Sequence, residues 1–364
     1  MKKTRLVIFV GTGGVGKTTT AASFGLALAE AGYKTVTITI DPARRLAQAL
    51  GLEKLSNEAQ LVKKFPSGGE FYAQWLDQKT ALSELVRRTT KREDLAKKII
   101  EHRFFEIIEG HLGGIEEYLS LEKLLSIRES GLFDFCVLDT APSRHALDFI
   151  DSPKHLIKFF DEGILSRFVK SEDASDSKKG FWSGLLKSGQ EKAFGIFRGV
   201  FGSTFFTELS ELLNLSRPLH QRLLQVANGA HEWIQSSDTS VLMISAPDSK
   251  SFREIELMTI DLRARELPGP YRLLINRCLP RSPVPASFKQ LSVKFYDQIQ
   301  ARWTAQNNLL EQIKSLSRWI PFVMTYPVVN PRKLDISELE KAGREILSQW
   351  PRVELEKIPD GEQS

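Results

Sequence analysis

Residues Gly11 to Thr20 read GTGGVGKTTT, and Gly11, Gly16, Lys17 and Thr18 satisfy the spacing GxxxxGK[ST] of a phosphate-binding loop. The chemistry needs these residue types. Glycines let the backbone curl until successive N–H groups point at phosphate oxygens. A helix starting after the loop presents its positive end to the same anion. Lys17 would reach the β- and γ-phosphates, and the Thr18 hydroxyl would ligate Mg²⁺. The expected nucleotide-binding stretch is therefore Gly11, Thr12, Gly13, Gly14, Val15, Gly16, Lys17, Thr18 and Thr19.

Two more motifs carry carboxylates. DPARRLAQAL starts at Asp41 and DTAPSRHALDF at Asp139. Either aspartate could simply cap a helix, and the proline after Asp41 suits a first helical position. Each also follows an apolar stretch of strand character, where open α/β sheets bind their ligands. Asp41 would then orient or activate an attacking water. Asp139 would support Mg²⁺ and sense the γ-phosphate.

The elements that must hold these motifs are legible in outline. LVIFV (Leu6 to Val10) is the continuous apolar run of a parallel strand covered on both faces. After the loop comes an alanine-rich helix closed by Gly32, then the β-branched TVTITID (Thr35 to Asp41). Further strands are expected at Phe71–Asp77, Phe133–Asp139, Ser240–Ala246, Tyr271–Asn276 and Ile320–Tyr326. Helical patterns lie between several of them, as in SFREIELMTIDLRAREL and SVKFYDQIQARWTAQNNLLEQIKSL. The alternation predicts an α/β fold of the P-loop NTPase kind, a doubly wound, mainly parallel sheet.

One interval breaks the rhythm. From Asp151 to Gln235 no strand is evident, and ten of the 22 phenylalanines fall between Phe149 and Phe206. The organisation expected is a P-loop core (1–78, 126–150, 236–350), an inserted α-helical subdomain (79–125, 151–235) and a flexible tail (351–364).

Composition narrows the function. The formal charge of +5, from 50 basic and 45 acidic residues, is interleaved along the chain, so no nucleic acid partner is expected. The run RRTTKR (Arg87 to Arg92) reads as a solvated helix face. With two cysteines, no signal-peptide core and no membrane-spanning stretch, the expected location is cytoplasmic.

GTGGVGKTTT, DPARRL and DTAPSRHALDF, in that order, resemble the loop, switch I and switch II of the ArsA/Get-type ATPases. That family comprises arsenite-pump ATPases and factors that target tail-anchored proteins, within the wider ParA/MinD group. The resemblance implies a Mg²⁺-dependent ATPase that works as a homodimer, closed by ATP and loosened by hydrolysis. It makes Asp41 the residue that positions water and Asp139 the switch II carboxylate. It matches Asn276 to the family's adenine-contacting asparagine, with Pro327 as a candidate for packing on the adenine ring. Asn276 is followed by Arg277, Cys278 and Leu279, so the guanine-reading NKxD is missing and ATP is expected over GTP.

The chain departs from the family pattern at Thr12, where such dimers commonly carry a lysine that crosses to the partner's phosphates. Arg44, Arg45 and Arg144 lie in the switches, and Arg45 or Arg144 is the expected charge donor in its place; each could equally be an ordinary surface arginine. No arsenite site is expected, because Cys136 and Cys278 lack a third thiol. The aromatic segments FWSGLL and FGIFRGVF could line a groove for a hydrophobic client or membrane-protein segment, or could pack the subdomain's own core. Two other readings stay open: a P-loop small-molecule phosphotransferase, and a ParA/MinD-like positioning ATPase.

Overall fold

The computed structural model describes residues 3–40, 45–75, 92–101, 115–140, 146–154, 217–267, 271–279, 293–313, 320–327 and 335–350, with single positions at 83, 86, 87, 90, 269 and 318. The chain divides into two compact units, Met1–Leu76 with Ser126–Ile150 and Glu232–Ser364, and Asp77–Leu125 with Asp151–His231.

The first unit is built on an eight-stranded sheet. Its strands are β1 (Arg5–Gly11), β2 (Lys34–Thr39), β3 (Gln60–Lys64), β4 (Glu70–Trp75), β5 (Phe135–Asp139), β6 (Thr239–Ser245), β7 (Arg272–Cys278) and β8 (Phe322–Pro327). Their order across the sheet is β3-β4-β2-β5-β1-β6-β7-β8. All neighbours are parallel except β3 and β4. β1 lies between β5 and β6, so the chain reverses its direction of winding around it. That reversal opens a crevice at the carboxyl ends of the central strands, the place where such sheets take ligands. From Leu6 to Gly11 every β1 residue is buried, which explains a run with no polar alternation.

The strand expectations hold to within a few residues, with one addition. β3 was not read from the sequence. It is an antiparallel edge strand, QLVKK, exposed or half-exposed along its whole length. An edge needs no second apolar face, and its lysines discourage further pairing.

Helix α1 (Lys17–Glu30) runs back from the loop and is buried on nearly every side. One face meets the sheet; the other meets a late helix, Ile336–Ser348. The two helices come so close that a Cβ at Gly343 would overlap the Ser23 carbonyl. Phe24 sits between Phe9 and Trp350, with ring centroids 5.7 and 4.8 Å away. Burial on two sides explains the alanines of α1: small side chains permit close approach on both faces. The start of α1 is therefore anchored by packing along its full length. Gly32 follows at φ 99°, the left-handed turn that glycine allows, and leads into β2.

Four more helices follow in chain order after α1: α2 (Arg45–Ala49), α3 (Glu93–Ile100), α4 (Ile115–Ser130) and α5 (Arg217–Ile234). They are succeeded by α6 (Ser249–Ala264), α7 (Val293–Ile313) and α8, the helix over Ile336–Ser348. α6 and α7 match the two helical patterns of the sequence. In the second unit, α3 buries Ala96 and Ile99, places Glu93 and Asp94 in its first turn and Lys97 and Lys98 in its last, as the helix dipole favours. Glu122, nearly buried, lies 3.7 Å from Arg222 in the same unit. Arg87 and Arg92 are exposed and Thr90 is buried, and Arg92 is the extended residue that precedes α3, outside any helix face. The aromatic segments FWSGLL and FGIFRGVF and the tail 351–364 lie outside the described residues. Among those described, no helix is long and apolar enough to cross a membrane.

Candidate nucleotide site

β1 ends at Gly11, and α1 starts at Lys17. Between them the backbone passes through left-handed conformations at Gly14 (φ 79°) and Gly16 (φ 96°), the kind of curl that lets successive N–H groups face an anion. Space is as restrictive as torsion at Gly16, where a Cβ would run into the Asn276 amide. Lys17 is only 7% exposed, and its Nζ donates to the carbonyls of Gly11 (2.9 Å) and Thr12 (3.0 Å). Its ammonium thus lies across the mouth of the loop. Gly13 and Gly14 are exposed, Thr12, Thr18 and Thr19 partly so, and Val15 is buried beneath them. The Thr20 backbone N–H and hydroxyl both donate to the Gly16 carbonyl at 2.9 Å, which closes the first turn of α1. An anion here would meet exposed loop backbone, an ammonium and a helix N-terminus.

The carboxylate flank is knitted to the loop's own strand. Asp139 ends β5, between β1 and β2, and is completely buried. Its Oδ2 accepts from the Thr39 hydroxyl at 3.0 Å, its carbonyl accepts from the Ile40 N–H at 3.2 Å, and the Thr140 hydroxyl donates to the Phe9 carbonyl at 2.7 Å. Three strand ends are cross-linked in this way. Thr18 and Asp139 are hard oxygen donors. No cluster of three or more His, Cys, Asp or Glu suited to a metal occurs among the described residues. Such oxygens fit Mg²⁺, which takes one or two protein ligands and completes its shell with phosphate and water.

On the other side of β1, β7 reaches the loop. Asn276 is 9% exposed; its Nδ2 donates to the Val15 carbonyl at 2.8 Å, and its Oδ1 accepts from the Arg277 N–H at 2.9 Å. A residue expected at the adenine ring therefore also braces the phosphate loop, across a sequence separation of 261. Pro327 ends β8, is exposed, and pairs in register with Cys278. A cavity of about 530 Å³ opens beside the loop, lined by Thr12 to Val15 and, across from them, by Lys250, Ser251, Glu254 and Arg277. Asp248, also on its wall, caps α6 by accepting from the Ser251 N–H at 2.9 Å. Lys250, Ser251 and Arg277 escaped the sequence reading because no motif singles them out.

Of the switch residues, Arg45 is exposed at the first position of α2. Asp41, Arg44 and Arg144 lie outside the described residues. Both cysteines are buried. Burial in β5 pushes the Cys136 thiol far above its ordinary range, against thiolate formation. Cys278 is on β7, three strands across, or about 14 Å at the usual strand spacing, so the two sulfurs cannot share one ion.

Comparison with known proteins gives the chain's family. An ATPase of the Get3 type from Aspergillus terreus is 31% identical over 86% of this chain and 83% of its own length. Another from Botryotinia fuckeliana is 25% identical over 97% and 90%. A halobacterial protein from Halobacterium salinarum, named for driving an arsenical pump, is 30% identical over 60% of this chain, which spans 33% of that relative's length. The model of the anion-transporting ATPase family matches residues 4–347. With the loop, the buried Asp139 and a match across nearly the whole length, the chain belongs to the anion-transporting ATPase family of P-loop proteins and is an ATP hydrolase.

Proposed function

We propose that the protein is a Mg²⁺-dependent, nucleotide-switched homodimer that binds a hydrophobic partner through its helical unit and works in the cytoplasm. The observation that carries the reading is the pairing of a braced phosphate loop with a buried carboxylate one strand away. Lys17 lies over Gly11 and Thr12, and Asp139 is fixed by Thr39. Both are tied to strand ends, so a change in the phosphate chain would be felt by the backbone that follows Asp139.

Within this reading Lys17 and the amides from Gly13 to Thr19 bind the triphosphate, while Thr18 and Asp139 hold Mg²⁺. The metal would supply charge neutralisation at the phosphates. Asp41 is proposed to orient the attacking water, and Asn276 and Pro327 to flank the adenine. Arg45 and Arg144 are the proposed charge donors from the switches. The hydrophobic client rests on the family and on the aromatic-rich insertion, since relatives carry the Get3 name.

Solution mass with and without magnesium ATP tests the switch: a doubling with ATP that reverses with ADP is expected. A mass indifferent to nucleotide would sink it. Cross-linking the insertion of an Asp41→Asn variant, expected to hold ATP without turnover, should recover apolar segments of membrane proteins.

A further inference from the structure

β7 carries an irregularity at the point where it meets the phosphate loop. Its register with β8 runs evenly from Arg272↔Phe322 to Ile275↔Thr325 and resumes at Cys278↔Pro327, so one extra residue is accommodated between Ile275 and Cys278. Bulges of this kind re-aim side chains and recur beside active sites. Arg277 sits in it with φ 63°, a left-handed conformation that is strained for any residue but glycine.

Among the described residues, one other non-glycine, Glu266 (φ 57°), shares that conformation. Glu266 has an ordinary reason: it follows the end of α6, where its N–H and that of Leu267 close the helix onto Arg263 and Leu262. Arg277 is in a strand and has no helix to end. What holds it is Asn276, whose Oδ1 accepts the Arg277 N–H while its Nδ2 holds Val15. The bulge thus places the arginine on the wall of the cavity that Thr12, Gly13 and Gly14 line. Lys250 shares that wall; of the carboxylates there, Asp248 is engaged in capping α6, which leaves Glu254.

The geometry points to Arg277 as a further residue, beside Lys17, that supplies within the same chain positive charge to the phosphate chain of ATP next to Thr12. The bulge and its left-handed residue exist to aim that guanidinium. This assignment concerns the ATPase site itself and is independent of dimerisation and of any client.

Strain gives the test its discrimination. Arg277→Gly removes the guanidinium and relieves the backbone, since glycine accepts φ near +60° freely. The expected result is a Tm equal to or above that of the parent, with magnesium-ATP turnover lowered about tenfold or more, given what a cation at the transferring phosphate contributes. Affinity for inorganic tripolyphosphate, which has no base or sugar, is expected to fall as well. Loss of either at an undiminished Tm supports the assignment. Parental turnover together with parental tripolyphosphate affinity overturns it, as does a loss accompanied by a lower Tm, which would make Arg277 a structural residue. A parent protein without ATP turnover would count against the ATPase reading instead, and tripolyphosphate affinity would still judge Arg277.

Discussion

Charge is handled in opposite ways at the two ends of the sheet. At the amino ends of β2 and β4, Glu70 meets Lys34 (3.2 Å), Lys64 (2.7 Å) and the Tyr72 hydroxyl (2.8 Å), with Lys64 largely in water. At the carboxyl ends, Lys17 and Asp139 are buried and are gripped by backbone carbonyls and a threonine hydroxyl. Pairs with a partner in water are screened and tolerate deletion. Buried charges carry a desolvation cost of several kcal/mol each, which folding alone gives no reason to bear. On the proposed reading the carboxyl end keeps its charges for a ligand, and the amino end keeps its own for stability.

The sharpest way to break this contrast is Lys17→Ala. It removes the cation and leaves the Gly11 and Thr12 carbonyls without its bonds, so turnover should fall on the order of 10²–10³-fold. Steady-state hydrolysis at saturating magnesium ATP, compared with Glu70→Gln at parental rate, checks it. Comparable losses in both variants would erase the distinction. Asp139→Asn comes next: the amide oxygen can still accept from Thr39, and only the charge goes. The magnesium concentration for half-maximal turnover should rise about 10–100-fold. Asn276→Ala is expected to be milder. Losing the bonds to Val15 and to the Arg277 N–H should weaken inorganic tripolyphosphate roughly three- to tenfold in dissociation constant, and ATP by at least as much, since the side chain is also proposed to flank the adenine. If tripolyphosphate bound as before, Asn276 would be a reader of the base and no brace.

The contrast also explains what could be read from the amino-acid order. β1, the loop and α1 were legible because spacing, residue type and apolar run agree over about twenty-five consecutive residues. Asp139 was legible for the same reason, as a carboxylate at the end of a buried strand. β3 was hidden because an exposed lysine-bearing edge has no apolar period. α8 is not among the helices expected from the sequence although its start is signalled: Asp335 accepts from the Glu338 N–H at 2.9 Å, and Leu339, Ala342 and Ile346 form one buried face. The brace from Asn276 to Val15 had no signal at all, since it joins residues 261 apart. Nor does an arginine side chain announce a left-handed backbone at Arg277. Local chemistry is written locally; long-range aim is decided by how β7 pairs with β8.

The smallest effect belongs to the amino end and concerns acid. Hydrogen bonds from Lys64, then Tyr72, then Lys34 lower the Glu70 carboxyl from its ordinary 4.5 to about 2. Folding thus favours the ionised form, and the sign follows. The contribution of Glu70 is fully present above pH 4.5 and is lost as pH falls to and through about 2, where the folded carboxyl takes up its own proton. Lys64 and, in part, Lys34 reach solvent, which screens the pairs and keeps that contribution small. Glu70→Gln should therefore lower Tm slightly and by a constant amount at neutral pH, and the gap from the parent should close across that acid window. Thermal melts of both proteins from pH 7 to pH 2 measure it. A gap that persisted at the acid end would mean that Glu70 acts through packing, and the amino end would then resemble the carboxyl end more closely than its solvent exposure allows.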